Sequence, residues 1–199
     1  APELSDGEHL PEGVEAGSLA DAIRTIPKAL EPHLGRYLNT QRDAFCSLNT
    51  AFLEDGGYVH IARGTVVDAP IHLLFLSVKL NGSDGPQMVH PRNLLIAERN
   101  AQASIVEEHI SLDQEMSTGG VLFANVVTEL VAAENSVVSH HTIERENRKA
   151  FHISTLRIQQ ERDANVSSHS VLIGGALVRN NVHPVLAGPG GECLINGLF

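Results

Sequence analysis

The rhythm of hydrophobic and polar positions changes once along this chain, near Gly57. Before it, apolar residues recur at helical spacing. Ser18 opens a capping pattern with Asp21 at the third position, and Leu19, Ala22, Ile23 and Ile26 form the stripe of a first helix. Pro27 and Pro32 divide the next stretch into short helical pieces. The spacing of Leu34, Leu38, Ala44, Phe45, Leu48, Ala51 and Phe52 predicts a longer helix from about Leu34 to Leu53. Glu54-Asp55-Gly56-Gly57 ends it, with the glycines expected to take left-handed or turn conformations. The first 17 residues, rich in Gly, Pro, Glu and Asp, read as a flexible arm.

After Gly57 the apolar residues fall into short runs rich in Val, Ile, Leu, Phe and Thr. Tyr58 to Ile61, Ile71 to Leu80, Leu94 to Ala97, Val121 to Ala132 and Phe151 to Gln160 are predicted strands, separated by turn residues. Alternation is partial: Leu122, Ala124, Val126, Thr128 and Leu130 oppose Phe123, Asn125, Val127, Glu129 and Val131. The chain therefore divides into an acidic arm and helical lead-in, residues 1–57, and a mainly β core, residues 58–199.

A repeat runs through the β part. Arg63-Gly64-Thr65, Arg99-Asn100-Ala101, Glu134-Asn135-Ser136, Arg162-Asp163-Ala164 and Pro189-Gly190-Gly191 occupy equivalent points, with central residues 36, 35, 28 and 27 positions apart. Gly, Asn and Asp tolerate positive φ, so each is expected to mark a tight corner. Short strands with one corner per repeat suggest a β-helix or related solenoid. Six Phe, two Tyr and no Trp leave the core to Val, Ile, Leu and Ala, which suits stacked flat sheets. An irregular β-sandwich or a jelly roll is the competing architecture.

Composition narrows the function more than the fold. A chain of 199 residues, 42% hydrophobic and 19% charged, is long enough to bury a core of its own. A net charge of -10 argues against wrapping nucleic acid or lying on an anionic membrane, both of which need clustered Lys and Arg. No apolar run has the length of a membrane-spanning helix, and the acidic N-terminus does not resemble a signal peptide. Cys46 and Cys193 stand far apart, which fits a reducing, cytoplasmic setting.

Eleven histidines raise the question of a metal. His140 and His141 are neighbours on a strand and point to opposite faces, so they do not share an ion. The expectation is no metal site, with the histidines on the surface or hydrogen-bonded in the core. Glu107, Glu108 and His109 are the densest ionisable cluster on a strand; Glu107 and His109 share a face, and a solvated strand face is expected there. Ser168-His169-Ser170, with Asp163 nearby, has the residue types of a hydrolase triad but no nucleophile elbow, so no catalytic residue is assigned. Gly188-Pro189-Gly190-Gly191 lacks the Lys-Ser/Thr of a phosphate loop and reads as a corner. Asn81-Gly82-Ser83 and Asn165-Val166-Ser167 match the glycosylation sequon, a pattern short enough to arise by chance.

Specific strings carry a family resemblance. His60-Ile61-Ala62-Arg63-Gly64, Pro70-Ile71-His72-Leu73-Leu74 and Ser104-Ile105-Val106-Glu107-Glu108-His109 with Ser111-Leu112 resemble the SUF iron–sulfur assembly proteins. Ser168-His169-Ser170, Gly174-Gly175-Ala176-Leu177-Val178-Arg179-Asn180 and Asn196-Gly197-Leu198 are most similar to the SufD family, in an order and spacing that cover most of residues 45–199.

The resemblance implies a right-handed parallel β-helix and a scaffold role. SufD-like subunits pair with the paralogue SufB and two copies of the ABC-type ATPase SufC, and iron–sulfur clusters are assembled on the complex. In SufB the strand matching Val106 to His109 ends in a sulfur-handling Cys; here His109 stands there, which favours SufD. The family continues past the Asn-Gly-Leu string with further coils and a C-terminal helical domain, so this chain is expected to be a fragment. No cofactor is expected on this chain alone, and neither Cys46 nor Cys193 is an attractive cluster ligand. Two other readings compete: a structural solenoid with unrelated partners, and a carbohydrate-active β-helix enzyme. The enzyme is disfavoured because only Lys79 and Lys149 supply lysine after residue 57.

Overall fold

The computed structural model describes residues 10–38, 41–78, 85–112 and 121–199. A strand, β1 (Val14–Ser18), opens the described chain and pairs antiparallel with β2 (Gly57–Ile61). The stretch expected to be a free arm is thus tied down from Val14 onward, because β2 offers it an otherwise unpaired edge. Residues 1–9 lie outside the described chain. Ser18 then caps α1 (Leu19–Thr25), accepting from Asp21 N as the sequence predicts, and Pro27 starts α2 (Pro27–Leu30).

The long helix expected from Leu34 is not there. Helix α3 spans only Ala44–Ala51, capped by Asp43, whose carboxylate accepts from Phe45 N and Cys46 N, each at 3.1 Å. Gly35, at φ 76°, turns the chain out of helical conformation, and Asp43 offers a better start than any residue before it. The glycines after α3 also act differently from expectation. Neither Gly56 nor Gly57 has positive φ; a Cβ on Gly56 would lie 1.8 Å from the Arg92 carbonyl oxygen, so glycine is there for close backbone approach.

Past this point the chain is strand after strand: β3 (Ile71–Ser77), β4 (Gln87–Val89), β5 (Arg92–Ala97), β6 (Gln102–Ser111), β7 (Leu122–Ala132), β8 (Val137–Arg145), β9 (Phe151–Gln160), β10 (Asn165–Leu172), β11 (Leu177–Leu186) and β12 (Glu192–Leu198). From β5 onward they alternate between two sheets. One runs β1-β2-β5-β7-β9-β11, with β4 also on β7, and the other runs β12-β10-β8-β6-β3. Among the described residues every pairing but β1 with β2 is parallel. Among the described residues the architecture is mainly β, 53% strand and 11% helix, built on parallel sheets. These pairings define sheets and do not by themselves define a closed solenoid.

All five corner residues read from the sequence have positive φ: Gly64 at 75°, Asn100 at 62°, Asn135 at 58°, Asp163 at 56° and Gly190 at 76°. The corners are bonded to one another through the main chain. Gly64 N donates to Arg99 O, Asn100 N to Glu134 O, Asn135 N to Arg162 O and Asp163 N to Pro189 O, at 2.9–3.0 Å. The small residues that follow three of them, Ala101, Ser136 and Ala164, are fully buried.

Register stacks like side chains between the sheets. Val59, Leu95, Leu130 and Ile158 pair in one row, and Ala103, Val138, Val166 and Cys193 in another. Full burial of a side chain such as Leu95 or Leu130 contributes about 1.5–3 kcal/mol. Two residues further along the strands of the second row the stack turns polar: Ile71 and Ile105 give way to His140 and Ser168, and Leu73 is followed by Glu107, Thr142 and Ser170. The core is therefore apolar at the corner end and polar at the other. A second apolar cluster, Leu19, Ala22 and Leu30 against Tyr58, Leu94 and Ile96, seats the helices on the sheet that contains β2 and β5.

Candidate functional site

The polar end of the core holds the strongest concentration of chemistry-bearing side chains. Strand β6 supplies Glu107 and His109, two residues apart and so on one face, as the period of two requires. His109 Nε2 lies 2.9 Å from Glu107 Oε1. From β8, His140 Nε2 lies 3.2 Å from Glu107 Oε2, and from β7 the Thr128 hydroxyl donates to the same oxygen at 2.8 Å. Burial pushes the Glu107 carboxyl up, but hydrogen bonds and charge from His109 and His140 outweigh it and hold the group well below the usual carboxylate range.

Glu107, Glu108 and His109 are all buried, at 2%, 8% and 2% exposure, so the expected solvated strand face is overturned. The physical reason is the partner set. Glu107 has three donors inside the core. Glu108, on the opposite face, accepts from Arg145 Nε at 3.0 Å and from Arg145 Nη2, and it lies 3.0 Å from His72 Nε2. The Arg145 hydrogen bond is the main reason its carboxyl is held below the ordinary range.

Two residues that the sequence reading passed over complete the cluster. Strand β9 contributes His152, fully buried, whose Nδ1 lies 3.2 Å from Glu146 Oε2 and whose ring meets His109 edge-on at 4.9 Å. Glu146 follows β8 and is itself buried. Its place is set by Gly174: a Cβ there would lie 2.4 Å from the Glu146 carbonyl oxygen and 2.5 Å from Glu144 Oε1. Glu144 accepts from Glu146 N and Gly174 N, which uses both its oxygens. One ligand atom each from His109, Glu146 and His152 lies within 4.8 Å of the others. Phe75 stacks on His109 at 4.7 Å and covers it.

The remaining candidates do not converge. Ser168 is buried with no partner on its hydroxyl, while His169 faces the other way and stacks on His141 at 5.1 Å. Ser170 accepts from Asn180 at 2.8 Å, and Asp163 pairs with Arg162 at its corner. No hydrolase triad is assembled. Gly188 to Gly191 is a corner, as expected, and no helix follows it. Asn81-Gly82-Ser83 lies outside the described residues. Cys46 and Cys193 are unpaired. Burial first, then the hydrogen bond and charge of Asp43, push the Cys46 thiol up to about 11; burial also raises Cys193. Neither is an activated thiolate.

Parallel sheets around a half-polar core, with a buried His and Glu cluster at its polar end, set the class: a mainly β protein built on parallel sheets. Comparison with known families is specific. The SufBD protein N-terminal region matches residues 1–73, and the SufBD core domain of SUF system FeS cluster assembly matches residues 78–199. This chain belongs to the SufBD family.

Its relatives agree. An iron–sulfur cluster assembly SufBD family protein of Synechocystis sp. is 32% identical over 184 residues, 91% of this chain and 40% of the relative. The iron–sulfur cluster assembly protein SufD of Escherichia coli (strain K12) is 27% identical over 198 residues, 99% of this chain and 42% of the relative. A SufBD family protein of Trieres chinensis is 30% identical over 132 residues, 66% of this chain and 25% of the relative. The chain thus spans less than half the length of each. Among the described residues, no helix is long and apolar enough to cross a membrane.

Proposed function

We propose that this chain is part of a SufD-like scaffold subunit of the SUF system, non-catalytic by itself, pairing with a SufB-like paralogue and a SufC-like ABC-type ATPase in the cytoplasm. The observation that carries the reading is the match of the N-terminal and core family regions, in order, along nearly the whole chain. The SufD assignment is supported by His109 standing where the resemblance places SufB's sulfur-handling Cys. The state of the two thiols agrees: Cys46 is buried in α3 and Cys193 packs against the main core, and burial disfavours the thiolate of both. The iron–sulfur cluster belongs to the assembled complex as its product.

The same proposal extends to the fold. Strands that alternate between two parallel sheets, with a positive-φ corner in each repeat and main-chain bonds from corner to corner, support reading the sheets as successive coils of a right-handed β-helix. Residues 1–57 are the lead-in and residues 58–199 the β-helix core of that arrangement.

Co-expression of the natural full-length protein with SufB-like and SufC-like partners, followed by native mass measurement, tests the assignment. One copy beside one SufB-like and two SufC-like subunits is expected, and the complex should form equally well with Cys46→Ser and Cys193→Ser. A protein that remains alone in the presence of both partners overturns it.

A further inference from the structure

We propose that His109, Glu146 and His152 form a binding site for a single divalent transition-metal ion, with Glu107 as the outer partner of His109. The proposal does not depend on the assembly reading and stands on the hydrogen bonds of the three side chains. His109 Nε2 is engaged by Glu107 at 2.9 Å, which leaves Nδ1 as the nitrogen open to a ligand. His152 presents Nδ1 to Glu146 Oε2 at 3.2 Å, close to the spacing of two ligand atoms on one ion, so a bound ion takes the place of the proton between them and leaves the ring N–H on Nε2. A neutral imidazole that donates from one nitrogen carries a lone pair on the other. Two such lone pairs and a carboxylate therefore meet inside a core from which water is largely excluded.

Charge points the same way. Glu107 has three donors and Glu144 has two, but the Glu146 carboxylate has one, at 3.2 Å. A buried carboxylate compensated so thinly is costly, and a cation is what offsets it. An imidazole that ligates through one nitrogen while its other N–H is held by a carboxylate is also the usual outer arrangement of metal-bound histidine, and His109 with Glu107 has it.

Donor type sets the class of ion. Two imidazole nitrogens and one carboxylate oxygen suit zinc, iron(II) or cobalt(II), and disfavour calcium and magnesium, which prefer oxygen alone. Three protein ligands leave at least one coordination position for an external group. The ligand atoms, within 4.8 Å of one another, close to the roughly 3.4 Å edge of a tetrahedron with ~2.1 Å bonds by small side-chain rotations. The three residues come from β6, the end of β8 and β9, so the ion would tie the two sheets together at the polar end of the core.

The test is a titration of chelator-treated, natural full-length protein with Co²⁺, read by its visible ligand-field bands. Histidine side-chain ¹⁵N resonances are followed in parallel with Zn²⁺. One equivalent should saturate the bands, and the ring nitrogens of His109 and His152 should shift. Glu146→Gln should weaken Co²⁺ binding about tenfold or more. Absence of saturable binding shows that a buried water satisfies the cluster instead, and overturns the site. So does a shift confined to the less buried His60, His72, His141 or His169, or a Co²⁺ spectrum and affinity unchanged in Glu146→Gln. The wild-type resonances decide the question even if a variant fails to fold.

Discussion

Arg92 donates to a single oxygen of Glu129 from both Nε, at 3.1 Å, and Nη2, at 2.8 Å, and neither side chain is exposed by more than 1%. The pair is a junction. Glu129 also accepts from the backbone of Gly35 and Tyr37, and Arg92 Nη1 donates to Asn49 on α3 at 3.0 Å. Two adjacent strands, the segment after α2 and helix α3 thus meet on one buried ion pair. Replacing Glu129 by Gln leaves the guanidinium buried without its counter-charge, which should cost about 3–5 kcal/mol. Urea unfolding measures the loss, and amide exchange should show the segment around Gly35 opening first.

The corners give a sharper, residue-specific expectation. Asn135, at φ 58°, also donates through Nδ2 to Asn100 at 2.8 Å. Asn135→Gly loses that bond but relaxes the backbone, so stability should change by less than about 1 kcal/mol, whereas Asn135→Ala should lose about 1–2 kcal/mol. Asn135→Val should lose more. Urea midpoints in any other order would show that the side-chain ladder, and not backbone conformation, selects these residues.

Asp43 couples the lead-in to pH. Burial pushes its carboxyl up, but hydrogen bonds from Cys46 and Phe45, with Arg157 behind them, hold it below its ordinary 3.8. A lowered folded-state pKa stabilises the protein above the unfolded value and ceases to do so as pH falls through the folded one. Asp43→Ala should therefore cost about 1 kcal/mol near neutrality. The gap from wild type should narrow once pH drops below ~4. Thermal melts of both proteins across that range would show it.

The thiols should separate cleanly. With its thiol near 11, Cys46 is ionised on the order of one part in a thousand at pH 8, and it is fully buried. Iodoacetamide should modify native protein at Cys193, slowly, and leave Cys46 intact until denaturant is added. Mass spectrometry of the peptides reads both. Labelling of native Cys46 at the rate of a free thiol would mean that α3 detaches readily from β7.

How far the sequence carried depended on which force set each feature. Gly64, Asn100, Asn135, Asp163 and Gly190 were legible because positive φ restricts the residue choice at a single position. Phe151 to Gln160 was legible to the residue because Phe151, Ile153, Leu156 and Ile158 recur through it and turn residues bound it on both sides. The helix from Leu34 failed because apolar spacing says nothing of where Gly35 turns the chain, although Asp43 before Ala44 was a readable cap. The candidate site was half legible. Glu107 and His109 share a face by simple alternation, but their burial depends on Thr128 and His140, which parallel register brings in from other strands. Glu146 and His152 carried no local signal at all. Their meeting with His109 is set by which strand lies opposite which, and no spacing within 43 residues of chain encodes that.

The main-chain bonds that run from corner to corner are made whether the corners lie 36, 35, 28 or 27 residues apart. Length is therefore free to drift between corners while vertical alignment stays fixed. For evolution, this separates two kinds of change that most folds confuse: a segment can be inserted or trimmed between corners at little cost to the frame, whereas a shift of one residue at the corner itself would misalign every strand stacked above it.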